Sequence, residues 1–283
     1  MSFRAACVQF TAGCDPDPNV AALDGLIRFA RSEGADLIMT PEVSDMMEPR
    51  RRLAVEKARP EAEHRPLSVL RDLAAELGAW LLIGSVVVRV GPDRLANRSF
   101  LIDPSGAIAA RYDKIHMFDV EIPDGQSYRE SKAYRPGEAT ALATLPWGRL
   151  GLTICYDVRF PYLYRSLAQA GADFISVPSA FTRVTGAAHW HVLLRARAIE
   201  CGAFVFAPAQ CGVHEAGRET YGHSLIVAPW GEVLADAGEA PGIILAEIDP
   251  AAVARARSMV PALRHDRPFG APDPAEAQRT AGE

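Results

Sequence analysis

The stretch Gly151-Leu-Thr-Ile-Cys155-Tyr-Asp-Val-Arg-Phe-Pro161 places a cysteine between a predicted strand and a predicted helix. The apolar run ends at Cys155, and Pro161 suits the first turn of a helix. A cysteine at a strand end is held in place yet reachable. Cys155 is therefore either a nucleophile, which needs a neighbouring base and cation at neutral pH, or a small buried apolar residue.

Composition limits the classes of protein to which the chain can belong. Its 283 residues, 49% of them hydrophobic, suffice for one large α/β domain or two small ones. The net charge of -5, with both signs scattered, predicts no nucleic-acid partner. The apolar runs, such as 80–88, are too short to cross a bilayer, which argues against an integral membrane protein. The sequence has an odd number of cysteines and no Cys-x-x-Cys pair, and Met1 leads straight into a strand-like segment. Both observations predict a reducing, cytoplasmic setting. The cysteines are Cys7, Cys14, Cys155, Cys201 and Cys211.

The N-terminal segment predicts a β-α-β unit. Strands over 3–10 and 36–40 flank a helix over 17–31, whose apolar residues recur at helical spacing. This order favours a parallel pair and places Glu42 just beyond the carboxyl end of a strand, where open α/β sheets hold their sites. Glu42 is thus a candidate site residue, with a helix cap or a surface carboxylate as the alternative.

The next segment places a lysine at another strand end. We expect a helix over 67–77, and then strands over 80–90, 97–102 and 107–112 joined by turns that contain Gly, Pro and Asp. Lys114 follows the last of these strands, and apolar neighbours would help to dehydrate its ammonium group. The alternative is an ordinary surface lysine.

The remaining segments continue the alternation of strands and helices. Residues 119–138, which include Glu130, are predicted to form a long loop of the kind that closes over a site. The tail 270–283 is expected to be mobile or bound to a partner. Further strands are predicted over 141–145, 150–154, 173–178, 203–209, 222–228, 232–236 and 243–248, and further helices over 161–170 and 189–199.

Three residue types at strand ends suit one reaction. Amide hydrolysis by a thiol needs a nucleophile, a proton carrier and positive charge beside the developing oxyanion, which Cys155, Glu42 and Lys114 would supply. No metal is predicted, because the seven histidines include no His-x-x-x-His and His189 and His191 are only two residues apart. No glycine motif for phosphate is present either, so no cofactor is expected.

Three segments resemble the signatures of the nitrilase superfamily of carbon-nitrogen hydrolases, in the same order. They are Thr-Pro-Glu42, Tyr-Asp-Lys114-Ile-His-Met-Phe-Asp and Ile-Cys155-Tyr-Asp-Val-Arg-Phe-Pro. The likeness continues through Tyr221-Gly-His-Ser and Pro229-Trp-Gly-Glu-Val and covers about residues 3 to 268. It implies an α/β fold, a four-layer α-β-β-α sandwich that dimerises through helices, with a hydrolase domain over 1–269.

The resemblance also implies roles for individual residues. Glu42 is expected to be the general base and then the acid, Lys114 to stabilise the oxyanion, and Cys155 to form a thioester. The backbone N–H of Tyr156 is the expected second oxyanion donor. Glu130 matches a second glutamate that family members place near the lysine. Asp157 and Arg159 are expected to brace the turn that carries the cysteine.

The segment Ala209-Gln-Cys-Gly-x-His214, followed by Arg218, is most similar to the deaminated glutathione amidases of this superfamily. The substrate that this implies is a small 2-oxo acid amide, with ω-amidases, nitrilases and carbamoyl-amine hydrolases as alternatives. Phe181, Thr182 and Arg183 follow a strand end and are expected to line the pocket, although a surface ion pair is an equal alternative for Arg183. A binding or scaffold protein with a silent site remains the non-enzyme alternative.

Overall fold

The computed structural model describes residues 1–122, 125 and 127–270. Within these ranges the helices are α1 (Pro16–Ser32), α2 (Arg51–Lys57), α3 (Arg65–Leu77), α4 (Pro161–Gln169), α5 (Arg183–Cys201) and α6 (Ala251–Met259). The strands are β1 (Phe3–Gln9), β2 (Leu37–Met39), β3 (Trp80–Arg89), β4 (Leu95–Ile102), β5 (Ile108–Asp113), β6 (Asp119–Glu121), β7 (Ser127–Arg129), β8 (Ala141–Leu145), β9 (Gly148–Leu152), β10 (Phe174–Ser176), β11 (Phe204–Ala207), β12 (Cys211–Val213), β13 (Glu219–Tyr221), β14 (Leu225–Val227), β15 (Val233–Asp236) and β16 (Gly242–Ile248).

Two six-stranded sheets with related topologies form the centre of the molecule. The first sheet has the order β16-β1-β2-β3-β4-β5, and the second has the order β15-β14-β11-β10-β9-β8. In each sheet three central strands run parallel, β1-β2-β3 in the first and β9-β10-β11 in the second, and the outer strands are antiparallel. Each sheet therefore has one edge where the carboxyl ends of its parallel strands meet.

The side chains of β1 show how the layers are ordered. Successive residues of a strand point to opposite faces of its sheet. Ala5 and Cys7 belong to an apolar cluster with residues of the second sheet, whereas Ala6 and Val8 belong to a separate cluster with α1 and α3. The first sheet is thus buried on both faces, against the second sheet and against helices.

Helices cover the outer face of each sheet. Leu23 of α1 and Leu70 of α3 pack against the first sheet, and Leu163 of α4 and Leu194 of α5 pack against the second. This arrangement confirms the predicted four-layer α-β-β-α sandwich. Each helix in the described ranges is too short or too polar to span a lipid bilayer.

Most predicted elements are confirmed with small shifts of their ends, and the helices α2 and α6 were not predicted. The predicted loop 119–138 holds the hairpin β6-β7 and a short 3₁₀ helix over 130–132. The hairpin β12-β13 was not predicted, and α5 begins at Arg183 rather than near His189. Of the predicted C-terminal tail, residues 271–283 lie outside the described residues.

Candidate active site

Glu42 lies where the sequence predicts it, just beyond β2 at the carboxyl edge of the first sheet. Its side chain is buried, and both carboxylate oxygens have partners. Oε1 accepts hydrogen bonds from Lys114 Nζ at 2.8 Å and Asn97 Nδ2 at 2.9 Å, and Oε2 accepts one from the backbone N–H of Ala180 at 2.9 Å. Contacts on both oxygens fix the orientation of the carboxylate.

Lys114 directly follows β5 and lies between two carboxylates. Its Nζ donates to Glu42 and also to Glu130, at 3.1 Å to Oε1 and 2.9 Å to Oε2. The backbone N–H of Phe118 donates to Glu130 Oε2 at 2.7 Å and so holds this second carboxylate in place. The Lys114 side chain is 2% exposed, which makes this a buried ion triad and rules out the surface alternative.

Cys155 begins a 3₁₀ turn, Cys155–Arg159, and has a φ of 49°. A left-handed backbone is uncommon for a residue with a side chain and persists only where its surroundings enforce it. Here the N–H of Cys155 donates to the Pro178 carbonyl at 2.9 Å. Asp157 accepts from the Ile154 N–H at 2.9 Å and the Tyr112 hydroxyl at 2.7 Å, which confirms Asp157 as a brace of the turn.

The charges around Cys155 set its protonation. Burial raises the pKa of Glu42, but the Lys114 ammonium and the hydrogen bonds from Lys114 and the Cys155 thiol outweigh burial and bring this pKa below its ordinary value. Burial and the Glu42 charge raise the pKa of the Cys155 thiol, against the opposing effect of Lys114. At neutral pH the resting pair is therefore a thiol beside a carboxylate, the state in which Glu42 can take the thiol proton.

A cavity of about 650 Å³ opens over these side chains. Its volume is in the range of small-molecule sites. Glu42, Lys114, Glu130 and Cys155 all line it, so the structure brings together the four predicted catalytic residues. Apolar and aromatic side chains form much of the wall, among them Val43, Met46, Met47, Phe118, Tyr128, Tyr134, Tyr156 and Phe181.

Two of the three predicted pocket residues line the cavity, and the third does not. Phe181 and Thr182 are in its wall. Arg183 is exposed at the start of α5, and its guanidinium lies 3.7 Å from Glu219 and 3.9 Å from Glu239. Arg183 does not line the cavity as expected, because its exposed side chain forms the surface ion pairs that are the alternative for this residue.

Two side chains of the site were not singled out from the sequence. Asn97 Nδ2 donates to Glu42 and lies 3.3 Å from Glu130 Oε1, so one amide joins both carboxylates. No sequence signal distinguished Asn97, because the polar residues Arg98 and Ser99 follow it in the same strand. Arg218 appeared only as part of a motif, yet it lines the cavity from the loop between β12 and β13.

The structure also brings together three groups that spacing could not predict. His191 Nε2 lies 3.0 Å from Asp236 Oδ2, and His223 Nδ1 lies 2.9 Å from Asp236 Oδ1. All three ligand atoms lie within 4.8 Å of one another. They come from α5, from the residue pair before β14 and from the end of β15, and they do not line the catalytic cavity. The absence of a metal stays a prediction.

Comparison with known proteins decides the family. The family model described as carbon-nitrogen hydrolase matches residues 4–258. The chain belongs to the carbon-nitrogen hydrolase family. It is 41% identical, over 93% of each chain, to the deaminated glutathione amidase of Yersinia enterocolitica. Its reaction class is therefore hydrolysis of a carbon-nitrogen bond in a non-peptide amide, and the predicted resemblance to the nitrilase superfamily is confirmed.

Solved structures of this family have the same fold. The NitFhit protein of C. elegans superposes with a TM-score of 0.88 at 37% identity; the match covers 94% of this chain and 65% of that one. A mutant of the amidase from Nesterenkonia sp. AN1, a structure that shows covalent addition at its active-site cysteine, superposes with a TM-score of 0.79 at 27% identity over 98% of this chain and 96% of that one. A cysteine nucleophile in this carbon-nitrogen hydrolase agrees with the active-site cysteine of the Nesterenkonia amidase.

Proposed function

We propose that this carbon-nitrogen hydrolase cleaves deaminated glutathione into 2-oxoglutarate and cysteinylglycine through a thioester on Cys155. The observation that carries the proposal is the convergence of Glu42, Lys114 and Cys155 on one buried cluster at the base of the cavity. The relative from Yersinia enterocolitica supports the choice of substrate.

In the first half of the reaction the amide is exchanged for a thioester. Glu42 takes the proton of the Cys155 thiol as the sulfur attacks the amide carbon, and the carbonyl oxygen becomes an oxyanion. The Lys114 ammonium and the N–H of Tyr156 stabilise that charge, and each such donor contributes about 10²- to 10³-fold in rate. Glu42 then protonates the departing nitrogen, the carbon-nitrogen bond breaks, and cysteinylglycine leaves.

In the second half water replaces the amine. Glu42, again ionised, takes a proton from water as the water oxygen attacks the thioester carbon, and the same donors stabilise the oxyanion. The carbon-sulfur bond breaks, the sulfur regains the proton from Glu42, and 2-oxoglutarate leaves. Each half of the reaction returns Glu42 to its ionised starting state, so one carboxylate serves both halves.

Glu130 acts in this scheme by holding the ammonium. Its two oxygens lie 3.1 and 2.9 Å from Lys114 Nζ, and its charge and that of Glu42 hold the pKa of Lys114 well above its ordinary value against the opposing effect of burial. Lys114 therefore remains charged through the cycle. We further propose that the enzyme needs no cofactor, works in the cytoplasm, and forms a homodimer or higher homo-oligomer through its outer helices.

Turnover of two amides tests the proposal. Deaminated glutathione and 2-oxoglutaramate are supplied separately to the wild type, to Cys155→Ala and to Cys201→Ala, which removes a buried thiol outside the cavity. We expect the wild type and Cys201→Ala to favour deaminated glutathione and Cys155→Ala to be inactive. Faster turnover of 2-oxoglutaramate identifies an ω-amidase, and activity in Cys155→Ala removes Cys155 from the mechanism. Turnover of neither amide leads to a panel of nitriles and carbamoyl amines.

A further inference from the structure

Arg218 is a cation in the cavity wall whose described partners are all uncharged. Its Nη2 donates to the Ala180 carbonyl at 2.5 Å, and its Nη1 lies 3.9 Å from the sulfur of Met47. The guanidinium carbon lies 5.2 Å from the centre of the Tyr128 ring. Among the described residues, its buried Nε has no hydrogen-bond partner.

Three other arginines near the cavity have carboxylate partners, whereas Arg51, which also lines the cavity, is exposed to solvent and donates to the Asp93 carbonyl. Arg50 lies 2.7 Å from Glu48, Arg129 lies 2.6 Å from Glu121, and Arg183 is close to two glutamates. A partly buried guanidinium loses favourable interactions with water, and neutral partners replace these interactions only in part. A carboxylate that binds to it would supply the missing stabilisation. The guanidinium also has one N–H without a partner among the described residues. Its planar array of donors matches the two oxygens of a carboxylate better than the compact ammonium of a lysine does.

Arg218 lies close to the catalytic groups because one residue joins them. Ala180 donates its N–H to Glu42 Oε2 and accepts from Arg218 through its carbonyl. Adding these hydrogen bonds to standard backbone bond lengths puts the guanidinium within about 10 Å of the Glu42 carboxylate. In an extended five-carbon acyl chain the amide carbon and the far carboxylate carbon are about 5 Å apart. A substrate of that length can reach both groups.

We propose that Arg218 binds the carboxylate at the far end of the acyl group, so that the site selects monoamides of short dicarboxylic acids. This inference rests on the proposed function for the position of the amide at Cys155. The ring of Tyr128, on the hairpin β6-β7, lies close enough to the guanidinium of Arg218 for a cation–π contact, which helps to hold that side chain in the cavity wall. Arg218 thereby determines specificity, and the buried cluster performs the chemistry.

Binding to a catalytically inactive protein tests this assignment apart from turnover. Calorimetry on Cys155→Ala compares glutaramate, a five-carbon monoamide with a carboxylate, and pentanamide, which has the same length and no charge. Each ligand is then measured on Cys155→Ala combined with Arg218→Met, with Arg218→Lys, or with Arg183→Met as the matched arginine control outside the cavity.

We expect Arg218→Met to weaken glutaramate binding at least about 30-fold, the low end for truncating one partner of a buried charge pair. The affinity for pentanamide should change less than about 2-fold in Arg218→Met. The affinity of Arg218→Lys for glutaramate should lie between those of Arg218→Met and the parent Cys155→Ala protein, and Arg183→Met should bind glutaramate as tightly as that parent. The assignment is overturned if glutaramate does not bind, if Arg218→Met leaves its affinity unchanged, or if both ligands weaken equally.

The two proposals can fail separately. Binding of glutaramate that depends on Arg218, in a protein whose wild type hydrolyses neither amide, supports the anion site and counts against the hydrolytic proposal. Hydrolysis of deaminated glutathione with equal kcat/KM in the wild type and Arg218→Met supports the hydrolytic proposal and overturns the anion site.

Discussion

The ammonium of Lys114 lies 2.8 Å from Oε1 of Glu42, and both side chains are almost fully buried. Burying this ion pair costs free energy unless each charge has partners of opposite charge or hydrogen-bond donors. Glu130 supplies a second carboxylate in contact with the ammonium. The protonation of the base therefore depends on the lysine, and the pH dependence of the enzyme should report on this contact.

Lys114→Met should move the acidic limb of the pH profile to higher pH. Without the ammonium, burial dominates and raises the pKa of Glu42, whereas in the wild type the limb lies below the usual glutamic acid value of about 4.3. The lowered pKa of Glu42 also affects stability. It adds to the free energy of unfolding at pH values above the pKa of Glu42 in the unfolded chain, and this contribution is lost as the pH falls through the pKa of Glu42 in the folded protein.

The rate of Cys155 alkylation by iodoacetamide, followed by mass spectrometry between pH 3 and 8, measures the limb of this Lys114→Met variant. Lys57→Met removes a lysine that pairs with Asp15 and Glu48 outside the catalytic cluster and should leave the limb in place. An acidic limb at the same pH in Lys114→Met and the wild type would contradict the prediction.

Glu42→Gln should abolish turnover and slow alkylation of Cys155 while the protein stays folded. The amide keeps the shape of the side chain but cannot take the thiol proton, and burial keeps the pKa of the thiol high. We expect a loss of kcat of at least about 100-fold. Steady-state kinetics and alkylation rates measure the effect, with thermal melting as the check on folding. Normal alkylation in a folded Glu42→Gln protein would mean that another group activates the cysteine.

Glu130→Gln should lower kcat by about 10- to 100-fold, because the ammonium that stabilises the oxyanion loses one of its two fixed carboxylates. The amide oxygen can still accept from the Phe118 N–H, so the fold of this region should persist. Glu121→Gln is the matched control, because Glu121 lies on the hairpin β6-β7 that precedes Glu130 but is paired with Arg129 at the surface. Equal kcat values for the two variants would assign Glu130 a structural role alone.

Gly84→Ala should cost both stability and activity. A Cβ on Gly84 would lie 2.5 Å from the Pro178 Cβ and closer still to the Thr40 carbonyl oxygen, so the chain segments that lead to Glu42 and hold the Cys155 N–H must move. Overpacking of this kind costs about 1–3 kcal/mol.

Chemical denaturation and kcat measure the Gly84→Ala effect. Gly25→Ala is the control, because nothing lies within 4 Å of that position on α1 and alanine there should add about 0.5–1 kcal/mol of stability. Wild-type stability and kcat in Gly84→Ala would show that the two sheets approach each other less tightly at this point than the structure has them.

The catalytic residues could be predicted because each follows a strand. Glu42, Lys114 and Cys155 lie just beyond β2, β5 and β9, and strand ends are readable from apolar runs and turn residues. Arg183 was misplaced because the start of α5 depends on Thr182 as its N-cap, a signal that is weak among the neighbouring polar residues. Arg218 could not be placed, because its position depends on the short hairpin β12-β13, which has little apolar periodicity of its own.

The two sheets divide the catalytic set between them: Glu42 and Lys114 belong to one, and Cys155 to the other. A chain emerging from the ribosome thus passes through stages in which its thiol has no proton acceptor beside it and is inert toward cellular amides. Amide hydrolysis therefore starts only after the two sheets have packed together, so recovery of turnover during refolding reports that this packing is complete.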